Sequence, residues 1–88
     1  MSETKIFTVE IEVQEQPDHT EAKALLDLDG DTRGGWGRAR RNPTDPERPR
    51  LGEELAIARA LSDLAHHLGD DVSAQIEATE GGSAHVHL

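Results

Sequence analysis

The sequence predicts an α+β fold in which a three-stranded antiparallel sheet is packed by one long helix, in the order β-β-β-α, with a short C-terminal element after it. Three observations lead there. Two early segments alternate apolar and polar residues with period two. Clusters of Asp, Gly and Pro punctuate the chain between periodic segments. One later segment repeats apolar residues at spacings of three and four. The 88 residues suffice for one domain, read here as 5–88.

The first strand is predicted over 5–13, KIFTVEIEV, with Phe7, Val9, Ile11 and Val13 on one face and Thr8, Glu10 and Glu12 on the other. Gln16-Pro17-Asp18 interrupts it. Residues 20–28, TEAKALLDL, put Ala22, Ala24, Leu26 and Leu28 opposite Glu21, Lys23, Leu25 and Asp27. Alanine and leucine also suit a helix. The period of two, with Asp-Gly just beyond, favours a second strand. Residues 29–35 are predicted as a turn and 36–42 as a third strand. Gly35, Gly37 and Ala39 then face inward, where small residues permit close approach, and Trp36, Arg38 and Arg40 face outward. Three prolines in 43–50 predict an extended connector.

The helix is predicted over 51–68. Leu51, Leu55, Ala58, Leu61, Ala65 and Leu68 form its stripe, widened by Ile57 and Leu64. Glu53 and Glu54 in the first turn and His66 and His67 in the last suit the dipole, and Gly69 suits the position after the helix end. Residues 73–80 fit either a short helix capped by Ser73 or a strand through Ala74, Ile76 and Ala78. Residues 84–88 read as extended.

Composition narrows the chemistry. There is no cysteine, which excludes disulfides, thiolate metal sites and a thiol nucleophile. No apolar run has the length of a signal core or a membrane span, so a cytoplasmic protein with no membrane partner is expected. The net charge of −9 opposes nucleic acid and acidic membranes taken as a whole. The distribution is uneven: residues 33–50 hold six arginines against Asp45 and Glu47, and the remainder holds three bases against sixteen acids.

Several motifs fall short of a site. Asp27, Asp29 and Asp31 match the first ligands of a calcium loop, but Thr32 and Arg38 stand where glycine and glutamate belong, so a hairpin turn is the better reading. RGGWG lacks the phosphate-loop and dinucleotide patterns. His66, His67, His85 and His87 lack a third ligand fixed by spacing. Ser2, Ser62, Ser73 and Ser83 lie in no nucleophile context. No catalytic residue, metal, cofactor or small-molecule substrate is indicated, and no enzyme is expected.

Two surfaces are candidates. Trp36, Arg38, Arg40 and Arg41 join an aromatic to arginines, the combination that pairs phosphates and stacks bases. The same outer face brings Glu10, Glu12, Glu21 and Asp27 alongside, so cross-strand ion pairs compete with RNA contact. Ile6, Leu25 and Trp36 are apolar residues framed by charge on that face, which suits a dimer interface.

The stretch GWGRARRNPTDPERPRLGEELAIARALSDLAHHL resembles a small actinobacterial family of unknown function. The resemblance rests on Gly35, Gly37, Ala39, Arg40, Asn42 and Pro43, on the helix motif Gly52–Leu64, on Thr20, Ala22, Lys23 and Ala24 upstream, and on Ile76–Ala78. It implies a dsRBD-like fold (that of the double-stranded-RNA-binding domain), homodimerisation and no established activity. Some relatives resemble dormancy-associated proteins similar to ribosome hibernation promoting factors. The expectation is a non-enzymatic stress or dormancy factor contacting ribosome or rRNA, or alternatively a homodimeric protein-interaction module that binds no nucleic acid.

Overall fold

A computed structural model describes residues 2–41 and 48–80, with side chains described to residue 78. Three strands, β1 (Val9–Glu15), β2 (His19–Leu28) and β3 (Asp31–Arg40), form one antiparallel sheet in the order β1-β2-β3. A single helix, α1 (Pro49–Glu80), covers one face. The architecture is the α+β, β-β-β-α arrangement that the sequence predicts.

The two hairpins are tight. Gln16–Asp18 join β1 to β2, and the Gln16 amide donates to the His19 carbonyl at 2.8 Å. Asp29 and Gly30 alone join β2 to β3, both with positive φ (53° and 103°), as a two-residue turn matched to strand twist requires. Asp27 Oδ1 accepts from the Gly30 amide at 2.9 Å, and Lys5 Nζ pairs with Asp29 at 2.6 Å. The alternating aspartates therefore close a hairpin.

The register places Glu21 opposite Arg38, Lys23 opposite Trp36 and Ala24 opposite Gly35. Ala22, Ala24, Leu26 and Ala39 are buried from the sheet side, and Ala56, Ala60 and Leu64 from the helix. Ile11, Val13, Leu28, Ile57 and Leu68 pack around them, half-buried. Helix meets strand backbone to backbone here. A Cβ at Gly35 would overlap the Ala60 carbonyl oxygen and stand 2.8 Å from Leu64 Cα; one at Gly37 would overlap the Ala56 carbonyl oxygen and stand 2.8 Å from Arg59 Cβ.

Several boundaries differ from the sequence expectation. β1 starts at Val9 and runs to Glu15 instead of spanning 5–13. β3 starts at Asp31, so the turn is two residues and not 29–35. Pro49 and Arg50 open the helix instead of ending the connector. Proline suits this position because the first helical amide has no partner to lose. Glu53 and Glu54 lie beyond the first turn, which holds no acid.

The largest difference is at Gly69, which lies inside α1 and does not end it. Residues 73–80 continue the same 32-residue helix, neither a strand nor a separate element. Glycine in a helix interior costs about 1 kcal/mol. The ion pair between Asp71, in the turn beyond Gly69, and Arg33 on β3 holds the continuing helix to the sheet. His66 and His67 are thus mid-helix. The expected extended segment 84–88 lies outside the described residues.

The glycine contacts give a direct test. Gly37→Ala must displace helix backbone and should lower unfolding free energy by about 2 kcal/mol or more. Gly30→Ala meets nothing within 4 Å and strains only φ, which costs about 1 kcal/mol. Urea denaturation of both variants checks the order; equal losses would contradict the packing.

Candidate functional site

The helix covers the sheet unevenly. It runs antiparallel to β3, with Ala56 and Ala60 over Gly37, Ala60 and Leu64 over Gly35, and Asp71 beside Arg33. Four side chains at four-residue spacing address β3 along the way. Arg59 Nη1 donates to the Arg38 carbonyl at 2.6 Å. Asp63 Oδ2 accepts from the Trp36 amide at 2.9 Å. His67 Nδ1–H donates to the Gly34 carbonyl at 2.8 Å. Asp71 pairs with Arg33. Four helical residues rise about 6 Å and two strand residues about 6.7 Å, so helix and strand stay in step over the first three rungs; the last joins side chains, one strand residue further on at Arg33.

Three rungs of this ladder satisfy outward-facing backbone groups of β3, the Arg38 and Gly34 carbonyls and the Trp36 amide, which no strand pairs. Open strand edges invite pairing with another chain, and covering one with helix side chains removes that route. The opposite edge, β1, has no such cover among the described residues. Phe7 (45% exposed), Val9 (36%), Leu61 (42%) and Val72 (46%) leave an apolar trough on the β1 side. Ile57, Leu61, Leu68 and Val72 follow one another along one helix stripe, beside the Ala56–Ala60–Leu64 line.

On the uncovered face of the sheet, Arg38 Nη2 donates to Glu21 Oε1 at 3.0 Å and its guanidinium lies 5.6 Å from the centre of the Trp36 ring. Arg38 Nε is shut off from solvent and lacks a partner among the described residues. His19 extends the cluster: Nδ1–H donates to Asp18 at 2.7 Å, and Nε2 faces Glu21 at 3.1 Å. Arg38 holds the Glu21 carboxyl below the usual range, with His19 adding to the effect; the His19 hydrogen bond does the same for Asp18. The cross-strand pairing weighed from the sequence is present at Arg38.

The four arginine-segment candidates therefore divide. Trp36 is half-exposed on the open face, and Arg38 is engaged there by Glu21. Arg40 and Arg41 lie at the end of β3, where the Arg41 amide donates to Asp18 and its guanidinium to the Pro17 carbonyl at 3.2 Å. Leu25 shares the face of Trp36, half-buried over Gly34. Ile6 is 83% exposed ahead of β1 and does not join them.

Sequence reading missed Arg59, Asp63, His67 and Asp71. Their spacing of four was visible, but it marks an ordinary solvated helix stripe as well as a strand-capping ladder. No group of three potential metal ligands occurs among the described residues. No helix of the described residues is long and apolar enough to cross a membrane.

Residues 5–85 match the Rv2632c-like family, and the chain belongs to it. The uncharacterized protein Rv2632c of Mycobacterium tuberculosis (strain ATCC 25618 / H37Rv) is 43% identical over 75 residues, covering 85% of this chain and 81% of the relative. The uncharacterized protein Mb1767 of Mycobacterium bovis is 44% identical over 62 residues, 70% of this chain and 66% of the relative. The crystal structure of Rv2632c superposes with a TM-score of 0.82 at 41% identity, covering 89% of this chain and 93% of that one. The family agrees with the expected small actinobacterial group of unknown function.

His67 makes the ladder pH-dependent. The Gly34 carbonyl, then the Asp63, Asp70 and Asp71 charges, raise its pKa above the ordinary histidine value, outweighing partial desolvation. A raised folded value means stability that is complete below about pH 6.5 and fades as pH rises through the folded value. His67→Gln keeps a donor but no titration. The melting-temperature gap between wild type and His67→Gln should be widest near pH 5.5 and narrow by pH 8; a gap independent of pH would contradict the assignment.

Proposed function

We propose that the chain is a non-enzymatic, cytoplasmic interaction protein whose working form is a homodimer. The observation that carries this is the apolar trough beside β1, left because α1 packs over β3 and β2. A domain of this size has a thin core, and a second copy covering Phe7, Val9, Leu61 and Val72 would enlarge it. Joining the two β1 edges is less favourable. Antiparallel pairing centred on Glu12 would set that carboxylate against its own equivalent, and like charges directly opposite destabilise a sheet. The copies therefore meet through the trough. Sedimentation equilibrium should show a dimer whose dissociation constant rises at least tenfold in Val9→Glu/Leu61→Glu, with the helix signal retained. A monomeric wild type at high micromolar concentration would refute the proposal.

A second reading is favoured by a separate observation: Arg40, Arg41 and Arg48 gather at one end of an acidic molecule. This supports a stress- or dormancy-associated factor that contacts ribosome or rRNA, in keeping with the resemblance to dsRBD-like hibernation promoting factors. Such contact should be salt-sensitive, because neutralising phosphates releases counterions. Co-sedimentation with ribosomes at low salt, lost at high salt and in an Arg38→Gln/Arg40→Gln/Arg41→Gln variant, is the expected result. No co-sedimentation at low salt would remove this reading.

A further inference from the structure

β1 is an edge of the sheet, and the ladder from α1 reaches β3 instead. The register shows which of its backbone groups face outward. On β3 the Gly34 and Arg38 carbonyls and the Trp36 amide point away from β2. Gly35, Gly37 and Ala39 therefore bond to β2, at Ala24, Ala22 and Thr20. The alternation carries across the sheet: Glu21, Lys23 and Leu25 turn their amides and carbonyls toward β1, where Gln14, Glu12 and Glu10 receive them. The Gln16 amide bonding to the His19 carbonyl keeps the same phase. The amides and carbonyls of Val9, Ile11 and Val13 are left facing outward, with no strand beside them among the described residues.

Side chains on this edge divide by the same period. Ile11 and Val13 pack half-buried against the core, and Val9 borders the trough with Phe7, Leu61 and Val72. Glu10 and Glu12 stand exposed on the opposite face and form no ion pair among the described residues. A strand laid antiparallel on β1 would hydrogen-bond to Val9, Ile11 and Val13. Its residues between those bonds would lie directly opposite Glu10 and Glu12, at the positions where Cα atoms approach to about 4.5 Å and side chains interact most closely. A second copy paired about Ile11 or Glu12 sets glutamate against glutamate there. Lysine or arginine sets opposite charges together.

The geometry points to strand addition: β1 takes up an extended segment of a partner protein as a fourth strand, and this segment alternates apolar residues with lysine or arginine. Backbone hydrogen bonds along the edge hold it, and alternate side chains select it. Its apolar residues continue the row of Val9, Ile11 and Val13 over the trough. Its basic residues meet Glu10 and Glu12. Outside residues 33–50 the chain holds three bases against sixteen acids, a field that draws a basic segment in. The inference goes beyond the homodimer reading: a second copy covers side chains in the trough, whereas the added strand uses the backbone of β1 as well.

The test is an amide NMR titration of the full chain, with hydrogen exchange, against a peptide of alternating valine and lysine as long as β1 and blocked at both ends. Saturable shifts along β1 are expected, with the Val9, Ile11 and Val13 amides exchanging about tenfold more slowly once peptide is bound. Glu10→Gln/Glu12→Gln removes two cross-strand charge pairs and should weaken binding about fivefold, with the helix signal retained. Glutamate in place of the peptide's lysines should weaken it about tenfold or more. A peptide N-methylated on the amides that face β1 keeps every side chain and should not bind. Sedimentation of the same samples keeps this result apart from the homodimer reading. A monomer that binds the peptide supports strand addition while removing the dimer, and a dimer that binds none at millimolar peptide overturns strand addition alone. Equal binding by the N-methylated or the glutamate peptide would also overturn it. So would slow exchange of the Val9, Ile11 and Val13 amides in the free chain, since the edge would then already be filled.

Discussion

The contact between Gly35 and Gly37 on β3 and the backbone of α1 at Ala56, Ala60 and Leu64 governs the rest of the structure. Two elements of secondary structure ordinarily stand apart by the length of their side chains. Here the strand presents none and the helix presents methyl groups, so backbones nearly touch. That approach brings Arg59, Asp63 and His67 close enough to reach β3 backbone groups. It also explains why the fully buried residues are small, with Ala24, Ala56 and Ala60 at 0% exposure. A core made of alanine and glycine buries little apolar area per residue, and its stability depends on fit.

The same contact makes the molecule asymmetric. A helix drawn onto β3 cannot also cover β1, so one sheet edge is closed by side chains and the other stays open. The charges follow this division. Arg33, Arg38 and Arg59 serve the fold, bound to Asp71, Glu21 and the Arg38 carbonyl. Arg40, Arg41 and Arg48 lie beyond the reach of the ladder and line the pocket at the end of the molecule. A count of arginines therefore overstates the positive surface, and position along β3 decides which of them face outward.

Period-two alternation was enough to assign the sheet faces, since it depends only on strand geometry. It placed Gly35, Gly37 and Ala39 inward and Trp36, Arg38 and Arg40 outward, and it put Glu21 beside Arg38. Boundaries were less readable because they depend on partners. The alternation of 5–13 continues ahead of Val9, but pairing with β2 starts at Val9–Leu26, close to the Asp29–Gly30 turn. Gly69 carries an ordinary stop signal, and two residues beyond it Asp71 pairs with Arg33, a partner 38 residues from Asp71 in sequence. The Thr20–Gly52 contact joins β2 to the helix start, and no local pattern announces it.

The net charge of −9 does not decide whether the arginine end can take an anion. Exposed charges more than about 8 Å apart are largely screened at physiological salt, while groups inside a partly enclosed pocket are screened far less. A polyanion laid across the open sheet would meet Glu10, Glu12 and Asp27 as well as Lys23. The acidic body thus disfavours extended nucleic acid over its surface. Because the pocket and the β1 trough share no residues, occupying one leaves the other accessible.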